Sequence, residues 1–345
     1  MTKLRVSVFD CRCGDVIAKD VISDKGLILA AENLVLNDFI ISKFKTIGIL
    51  SVWIYKETSN LYSYYEKKEK AVTGYKETVL GVKNVINNIV SGKRFDYKEM
   101  RDIAVTINRD LDIDIILNYL NEIKGYDDYT YSHSVNVGFY SMLIGKRLKM
   151  PDSQLIDLIQ AGLLHDIGKI KIDNQLLNKP GKLTDDEFET IKKHSMLGYE
   201  ILNDTQSINN DIKKAVLMHH ERIDGSGYPL GAKGDEIGEY ARIVAISDVY
   251  DAMTSDRPYK KRATPFDAFH MFLTSGLCTF CARTTQTFLL NFSTHLVGAK
   301  VQLDSGDIGE IVYIPPHEII NPIVRIGSTF KKLSINESPR IVSFV

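Results

Sequence analysis

The spacing of apolar and polar positions changes twice along the chain. Residues 1–56 read as strand-rich. Arg5 to Phe9 alternates, Asp24-Lys25-Gly26 is turn chemistry, and Ser51 to Tyr55 is β-branched and aromatic. Between them, Asn37 is placed to cap a short helix running to Lys45, with Phe39, Ile40 and Phe44 on one side. Lys56 to Lys70 is polar, carries tyrosines and ends in Glu-Lys-Lys-Glu-Lys, the composition of a solvated linker that is helical at its end. From Lys76 the period becomes helical, with Val79, Val82, Ile86 and Ile89 at spacings of three and four. Further helices are expected after Asp96 and over Ile113 to Ile123, and helical character continues to His295. Thr184-Asp185-Asp186-Glu187 has the form of a capping box, and Thr264 stands before a proline suited to the first helical position. After Gly298 the pattern returns to strands at Lys300 to Leu303, Ile308 to Tyr313 and Pro322 to Ile326, with a turn at Asp304-Ser305-Gly306. The expected protein is mainly α: a small β-rich module over 1–56, a linker and helical lead-in over 57–100, an all-α bundle over 101–297, and a short β tail over 298–345.

Charge narrows the partners. Lys and Arg total 43 against 44 Asp and Glu, a formal net charge of -1. That balance excludes a strongly basic coat for a nucleic acid polymer. No apolar run approaches the roughly 20 residues needed to cross a bilayer, and Met1 to Asp10 lacks the apolar core of a signal peptide, so a cytoplasmic protein without a membrane partner is expected. The four cysteines fall in two close pairs, Cys11/Cys13 and Cys278/Cys281. One intervening residue in the first pair is shorter than zinc sites use, so separate reduced thiols are the expectation.

Placement of the eight histidines changes the picture most. Five fall in the helical region beside apolar neighbours: His133, His165, His194, His219 and His220. A single inward histidine is ordinarily a hydrogen-bonded core residue. Five in one bundle, without a shared partner, would be costly to bury, and a metal centre is such a partner. Asp166 adjoins His165, and Asp248 lies in the run Ile246 to Asp251. Histidine nitrogens with carboxylate oxygens suit Fe, Mn, Zn or Co with open positions. Seven ligands exceed the need of one ion, so two metals, in an arrangement suited to phosphoester hydrolysis, are inferred. Lys169 stands one helical turn beyond His165 and is placed to face the same cavity.

His165-Asp166-Ile167-Gly168-Lys169 resembles the signature of the HD superfamily of metal-dependent phosphohydrolases. The eleven residues from His219 to Pro229, with Gly227-Tyr228-Pro229 at their end, resemble the longer signature of its HD-GYP branch. The likeness covers roughly residues 101 to 295, including Asp256-Arg257-Pro258-Tyr259-Lys260. It implies an all-α phosphodiesterase that hydrolyses cyclic di-GMP to linear pGpG, or on to GMP, with two divalent ions, iron or manganese. Carried over by position, the metal ligands are His133, His165, Asp166, His194, His219, His220 and Asp248. Asp166 is then the residue that bridges the metals and supports the attacking hydroxide. A third-metal glutamate of some members is replaced here by Tyr129, which favours two metals and puts full conversion to GMP in doubt.

The same resemblance places Asp127, Gly227, Tyr228, Arg257 and Lys260 at the substrate, with Lys169 beside them. Local reading leaves plainer roles open: an exposed basic loop for Arg257 and Lys260, a tight turn for Gly227, and a helix-start carboxylate for Asp127. In the family the Gly-Tyr-Pro loop is linked to partners carrying a diguanylate cyclase domain. The N-terminal module fits docking or pairing into a homodimer. Two other functions compete with the leading one: a non-catalytic cyclic di-GMP receptor or scaffold, and hydrolysis of another cyclic dinucleotide. Retention of all seven ligand positions ranks the receptor lower.

Overall fold

The computed structural model describes residues 2–23, 26–56, 58–111, 115–117, 129–205, 207–255 and 262–345. Its strands are β1 (Thr2–Ser7), β2 (Val16–Ile17), β3 (Val21–Ile22), β4 (Ile28–Ala30), β5 (Ser51–Lys56), β6 (Lys300–Leu303), β7 (Ile308–Tyr313), β8 (Ile323–Ile326), β9 (Thr329–Lys332) and β10 (Ile341–Phe344). Its helices are α1 (Asp38–Thr46), α2 (Thr58–Val90), α3 (Tyr97–Asp110), α4 (Tyr129–Arg147), α5 (Asp152–Leu164), α6 (Asn174–Leu177), α7 (Asp185–Lys192), α8 (His194–Asn203), α9 (Asn210–Met218), α10 (Glu239–Thr254), α11 (Pro265–Leu273) and α12 (Ala282–Leu296).

The chain divides into two compact units. One combines residues 1–69 with 289–345, and the other is residues 70–288. In the first, β1-β5-β2 and β3-β4 form small antiparallel sheets, and β10-β6-β7-β8-β9 form an antiparallel sheet of five strands. The reading from sequence keeps the two β-rich ends apart, but here they share one unit. Lys19 of the N-terminal module pairs with Glu310 of β7 at 2.7 Å and lies over the Trp53 ring. Tyr313 packs on the module's core of Val8, Ile17, Leu36, Phe44, Val52 and Ile54. A piece of such size buries little apolar surface alone, which gives the joining its physical reason. Asn37 caps α1 as expected, its side chain accepting from the Ile40 amide at 2.9 Å. The buried face of α1 is Ile41 and Phe44, while Phe39 is 69% exposed, one position off the expected stripe. The stretch read as a linker continues the backbone of α2 from Thr58. The helix expected over Ile113 to Ile123 falls largely outside the described residues, although 115–117 are helical. Strands β9 and β10 were not among the expected elements.

The second unit is a helical bundle built around α5. Burial of Leu155, Ile156 and every residue from Leu158 to Leu164 marks it as a helix covered on all sides. It packs against α3, α4, α9 and α10. Caps read from sequence are present, as capping boxes from Thr184 to Glu187 and from Thr264 to Asp267, and the helix expected after Asp96 is α3, which Asp96 caps. Two glycines set how closely elements approach. A Cβ on Gly162 would lie 2.7 Å from Gly138 Cα, so α5 and α4 meet backbone to backbone. A Cβ on Gly168 would lie 1.9 Å from His194 O, so the 3-10 turn Ile167–Lys171 lies directly on α8. Among the described residues, no helix is long and apolar enough to cross a membrane.

Gly162→Ala should force α4 and α5 apart and cost roughly 1–3 kcal/mol, the usual penalty of overpacking. Circular dichroism melting would show a lowered midpoint, and an unchanged midpoint would contradict this contact.

Candidate metal centre

The sequence places the histidines on helix faces, but the structure puts most of them at helix ends. His165 follows the last residue of α5, His194 opens α8, and His219 follows α9. Carbonyls in the last turn of a helix lack intrahelical partners, and here they orient the rings. The Nδ1 of His165 donates to Gly162 O at 2.8 Å, that of His194 to Ile191 O at 2.7 Å, and that of His219 to Val216 O at 2.8 Å. His133, inside α4, is held instead by a carboxylate, with Nδ1 at 2.8 Å from Asp251 Oδ2. Carbonyl oxygens and an ionised carboxylate only accept, so these four rings carry their proton on Nδ1 and aim Nε2 inward.

What they aim at is a pair of buried carboxylates. Asp166 Oδ1 is 3.3 Å from His194 Nε2 and 3.9 Å from His219 Nε2. Its Oδ2 is 3.3 Å from His165 Nε2 and 3.8 Å from His133 Nε2. Asp248 Oδ1 is 3.2 Å from His133 Nε2, and Oδ2 is 4.0 Å from His220 Nδ1. The donors fall into two groups able to hold a metal ion, Asp166/His194/His219/His220 and His133/His165/Asp248. Since its two oxygens face histidines of both groups, Asp166 is placed between them. The structure thus brings together all seven side chains expected as ligands.

The electrostatics suit cation binding. Burial works against charge on Asp166, yet Lys169, His165 and His194 beside it hold its carboxyl well below the usual range. Asp248 is likewise held low against its burial by His133, His165 and His220. Burial pushes His194 and His219 down and takes His220 to about 3, leaving these imidazoles neutral with free lone pairs. His133 is the exception: burial opposes its charge, but Asp248 and Asp251 outweigh it and raise it to about 9. His165 Nε2 and Asp166 Oδ1 are buried and make no hydrogen bond among the described residues. Orphaned acceptors of this kind are costly, and a divalent cation would satisfy both. The residues present therefore fit a metal centre.

Around the ligands, Lys169 Nζ contacts Asp166 Oδ2. Tyr228 stacks on His220, with ring centroids 4.6 Å apart and planes at 27°. Gly227 packs against the His220–Arg222 backbone, where a Cβ would lie 2.4 Å from Glu221 Cα. Asp127, Arg257 and Lys260 lie outside the described residues. None of the four cysteines forms a disulfide, and none joins a metal-holding group among the described residues.

Two residues were missed by the reading from sequence. Glu221 is buried, and its Oε1 and Oε2 accept from the Leu230 and Ala232 amides at 2.6 and 3.1 Å, which folds the Gly-Tyr-Pro loop back over the site. Asp251, fully buried, orients His133. Its position one turn beyond Asp248 on an apolar helix was the available signal.

Residues 118–275 match the HD domain family. A cyclic di-GMP phosphodiesterase of Pseudomonas aeruginosa is 38% identical over 207 residues, 60% of this chain and 50% of that protein. A 3′3′-cGAMP-specific phosphodiesterase of Vibrio cholerae is 40% identical over 139 residues, 40% of this chain and 30% of that protein. The chain thus spans half or less of the length of these relatives. Among solved structures, an HDG"Y"P protein of Bdellovibrio bacteriovorus aligns with a TM-score of 0.54 at 16% identity, covering 83% of this chain and 98% of that one. That likeness concerns the fold.

In metal-free protein, the raised pKa of His133 keeps a second proton on its ring at neutral pH, facing Asp248. A metal must displace that proton, so Mn(II) affinity should rise about tenfold per pH unit between pH 7 and 8 and level off above 9. Binding isotherms at several pH values check this, and equal affinity at pH 7 and 8 would contradict it.

Proposed function

We propose that this chain is a metal-dependent phosphodiesterase that opens cyclic di-GMP to linear pGpG. One observation carries the reading: five imidazoles converge on two buried carboxylates in two ligand groups that Asp166 joins, inside the stretch that matches the HD domain family. His133, His165 and Asp248 would hold one divalent ion, His194, His219 and His220 the other, with Asp166 shared between them. Iron or manganese bound there supplies Lewis acidity toward phosphoryl oxygens and acidifies water.

The chain's own groups do the rest. Asp166 stays anionic against its burial and orients the water that attacks phosphorus in line with the departing 3′ oxygen. Lys169, already in contact with Asp166, neutralises charge that develops on the phosphoryl group. Tyr228 offers its ring face beside His220 for a base or ribose, and burial keeps its hydroxyl protonated, so it can donate. Arg257 and Lys260 would grip the second phosphate, the arginine as a bidentate fork, and Asp127 would contact the substrate. The Gly-Tyr-Pro loop, exposed at Asp224, Ser226 and Leu230, is the surface we assign to partners carrying a diguanylate cyclase domain.

A second reading keeps the chemistry and changes the substrate. The 40% identical relative from Vibrio cholerae is named for 3′3′-cGAMP, so a mixed cyclic dinucleotide belongs in any substrate panel.

Product chromatography under anaerobic Fe(II) and under Mn(II) tests both readings. pGpG is expected from cyclic di-GMP. Faster turnover of 3′3′-cGAMP would establish the second reading, and no turnover of any cyclic dinucleotide with either metal would overturn both. Asp166→Asn should abolish turnover while the circular dichroism spectrum stays that of a folded helical protein. Lys169→Met should lower kcat by roughly a hundredfold, the scale for loss of one charge-stabilising donor.

A further inference from the structure

Of the four rings whose Nδ1 partner is given above, His133 is held by a side chain and the other three by the main-chain carbonyl three residues before them, and that side chain begins a longer connection. Asp251 Oδ2 accepts from His133 Nδ1 at 2.8 Å, and Asp251 Oδ1 accepts from Asn136 Nδ2 at 2.9 Å and from Ser255 Oγ at 3.0 Å. Asn136 Oδ1 accepts from the Tyr75 hydroxyl at 2.8 Å. All four residues of the line Tyr75, Asn136, Asp251 and His133 are buried, Asp251 completely. Tyr75 lies on α2, upstream of the HD-domain match at 118–275.

We infer that Tyr75 is a positioning residue for the metal centre, acting through Asn136 and Asp251 on His133. The reason lies in the two-sidedness of an amide. The Asn136 side chain can face Asp251 with its NH2 or with its oxygen. Only the first supports an ionised carboxylate, because the second sets oxygen against oxygen in a buried place. The Tyr75 hydroxyl selects the first by donating to Oδ1. Burial, with the charge on Asp251 adding to it, keeps that hydroxyl protonated, so it acts as a donor. With the amide fixed, Asn136 and Ser255 hold Asp251 by Oδ1, which turns Oδ2 toward His133 Nδ1. The ring is then locked with Nε2 toward Asp248 and Asp166. Partners of this kind behind a ligand usually contribute 10–100-fold to metal affinity.

This inference rests on the proposed metal centre but not on the identity of the substrate, and its test reads metal directly. Tyr75→Phe keeps the ring, which stacks on Phe139, and removes only the donor. In the whole 345-residue chain, Mn(II) affinity measured by chelator competition should weaken about tenfold. The visible absorption of the Co(II)-loaded protein should shift, reporting altered ligand geometry. Asn136→Asp, nearly isosteric, should weaken binding at least as much by setting a second carboxyl against Asp251. Val82→Ala, which thins the packing of the same helix away from this line, should lower the melting midpoint and leave Mn(II) affinity and the Co(II) spectrum unchanged. Wild-type affinity and spectrum in folded Tyr75→Phe, or equal losses of affinity in Val82→Ala, would overturn the inference. A wild-type chain that retains no divalent metal would overturn it together with the proposed function. Metal binding without turnover of any cyclic dinucleotide would remove the proposed substrates alone.

Discussion

The site depends on where four imidazole protons are held. Gly162, Ile191 and Val216 carbonyls and the Asp251 carboxylate take the Nδ1 protons of His165, His194, His219 and His133. Once Nδ1 is committed, Nε2 is the ring atom that faces the interior. There it meets two carboxylates that neighbouring cations and imidazoles keep ionised despite burial. A cluster of acceptors around acceptors, largely buried, is unfavourable by itself. It becomes favourable when divalent cations occupy it, which is why the arrangement carries a chemical meaning that a single buried histidine lacks.

Close backbone approach makes this convergence possible. Gly162 against Gly138 draws α5 onto α4, and His133 and His165, one from each helix, end with ring centroids 5.1 Å apart. Gly168 lets the turn after His165 and Asp166 rest on the first residue of α8, which is His194 itself. The glycines thus set the separations on which the ligands depend, without contributing a ligand atom. Glu221 acts similarly for the loop: one buried carboxylate collects the Leu230 and Ala232 amides and returns Tyr228 to the stack on His220.

The β-rich unit follows a different logic. Its N-terminal part has a modest core, and the five-stranded sheet from the far end of the chain completes it. The paired charges of Lys19, Glu310 and Arg325 connect the two parts, with Lys19 also lying on Trp53. Partners nearly the whole length of the chain apart leave no local trace in either segment, so the strand patterns could be read while their association could not.

By itself the sequence determined the period of most helices, several of their caps, and the residue types of the centre. His165-Asp166, His219-His220, His133, His194 and Asp248 are residue types that suit a metal centre, and burying so many imidazoles without a shared partner is costly whatever the fold. Asn37, Asp96, Thr184 and Thr264 are caps for reasons confined to the residues around them. Tertiary structure alone decided which ring atom each histidine directs inward, that Asp166 lies between the two ligand groups, and that Asp251, Glu221 and Tyr75 support the site. Those residues act through partners such as His133, separated from Asp251 by 118 positions, and an acid or tyrosine on a buried helical face has the same local pattern whether or not such a partner lies opposite. Local spacing fixes what a segment can bury; only packing fixes what the buried groups meet.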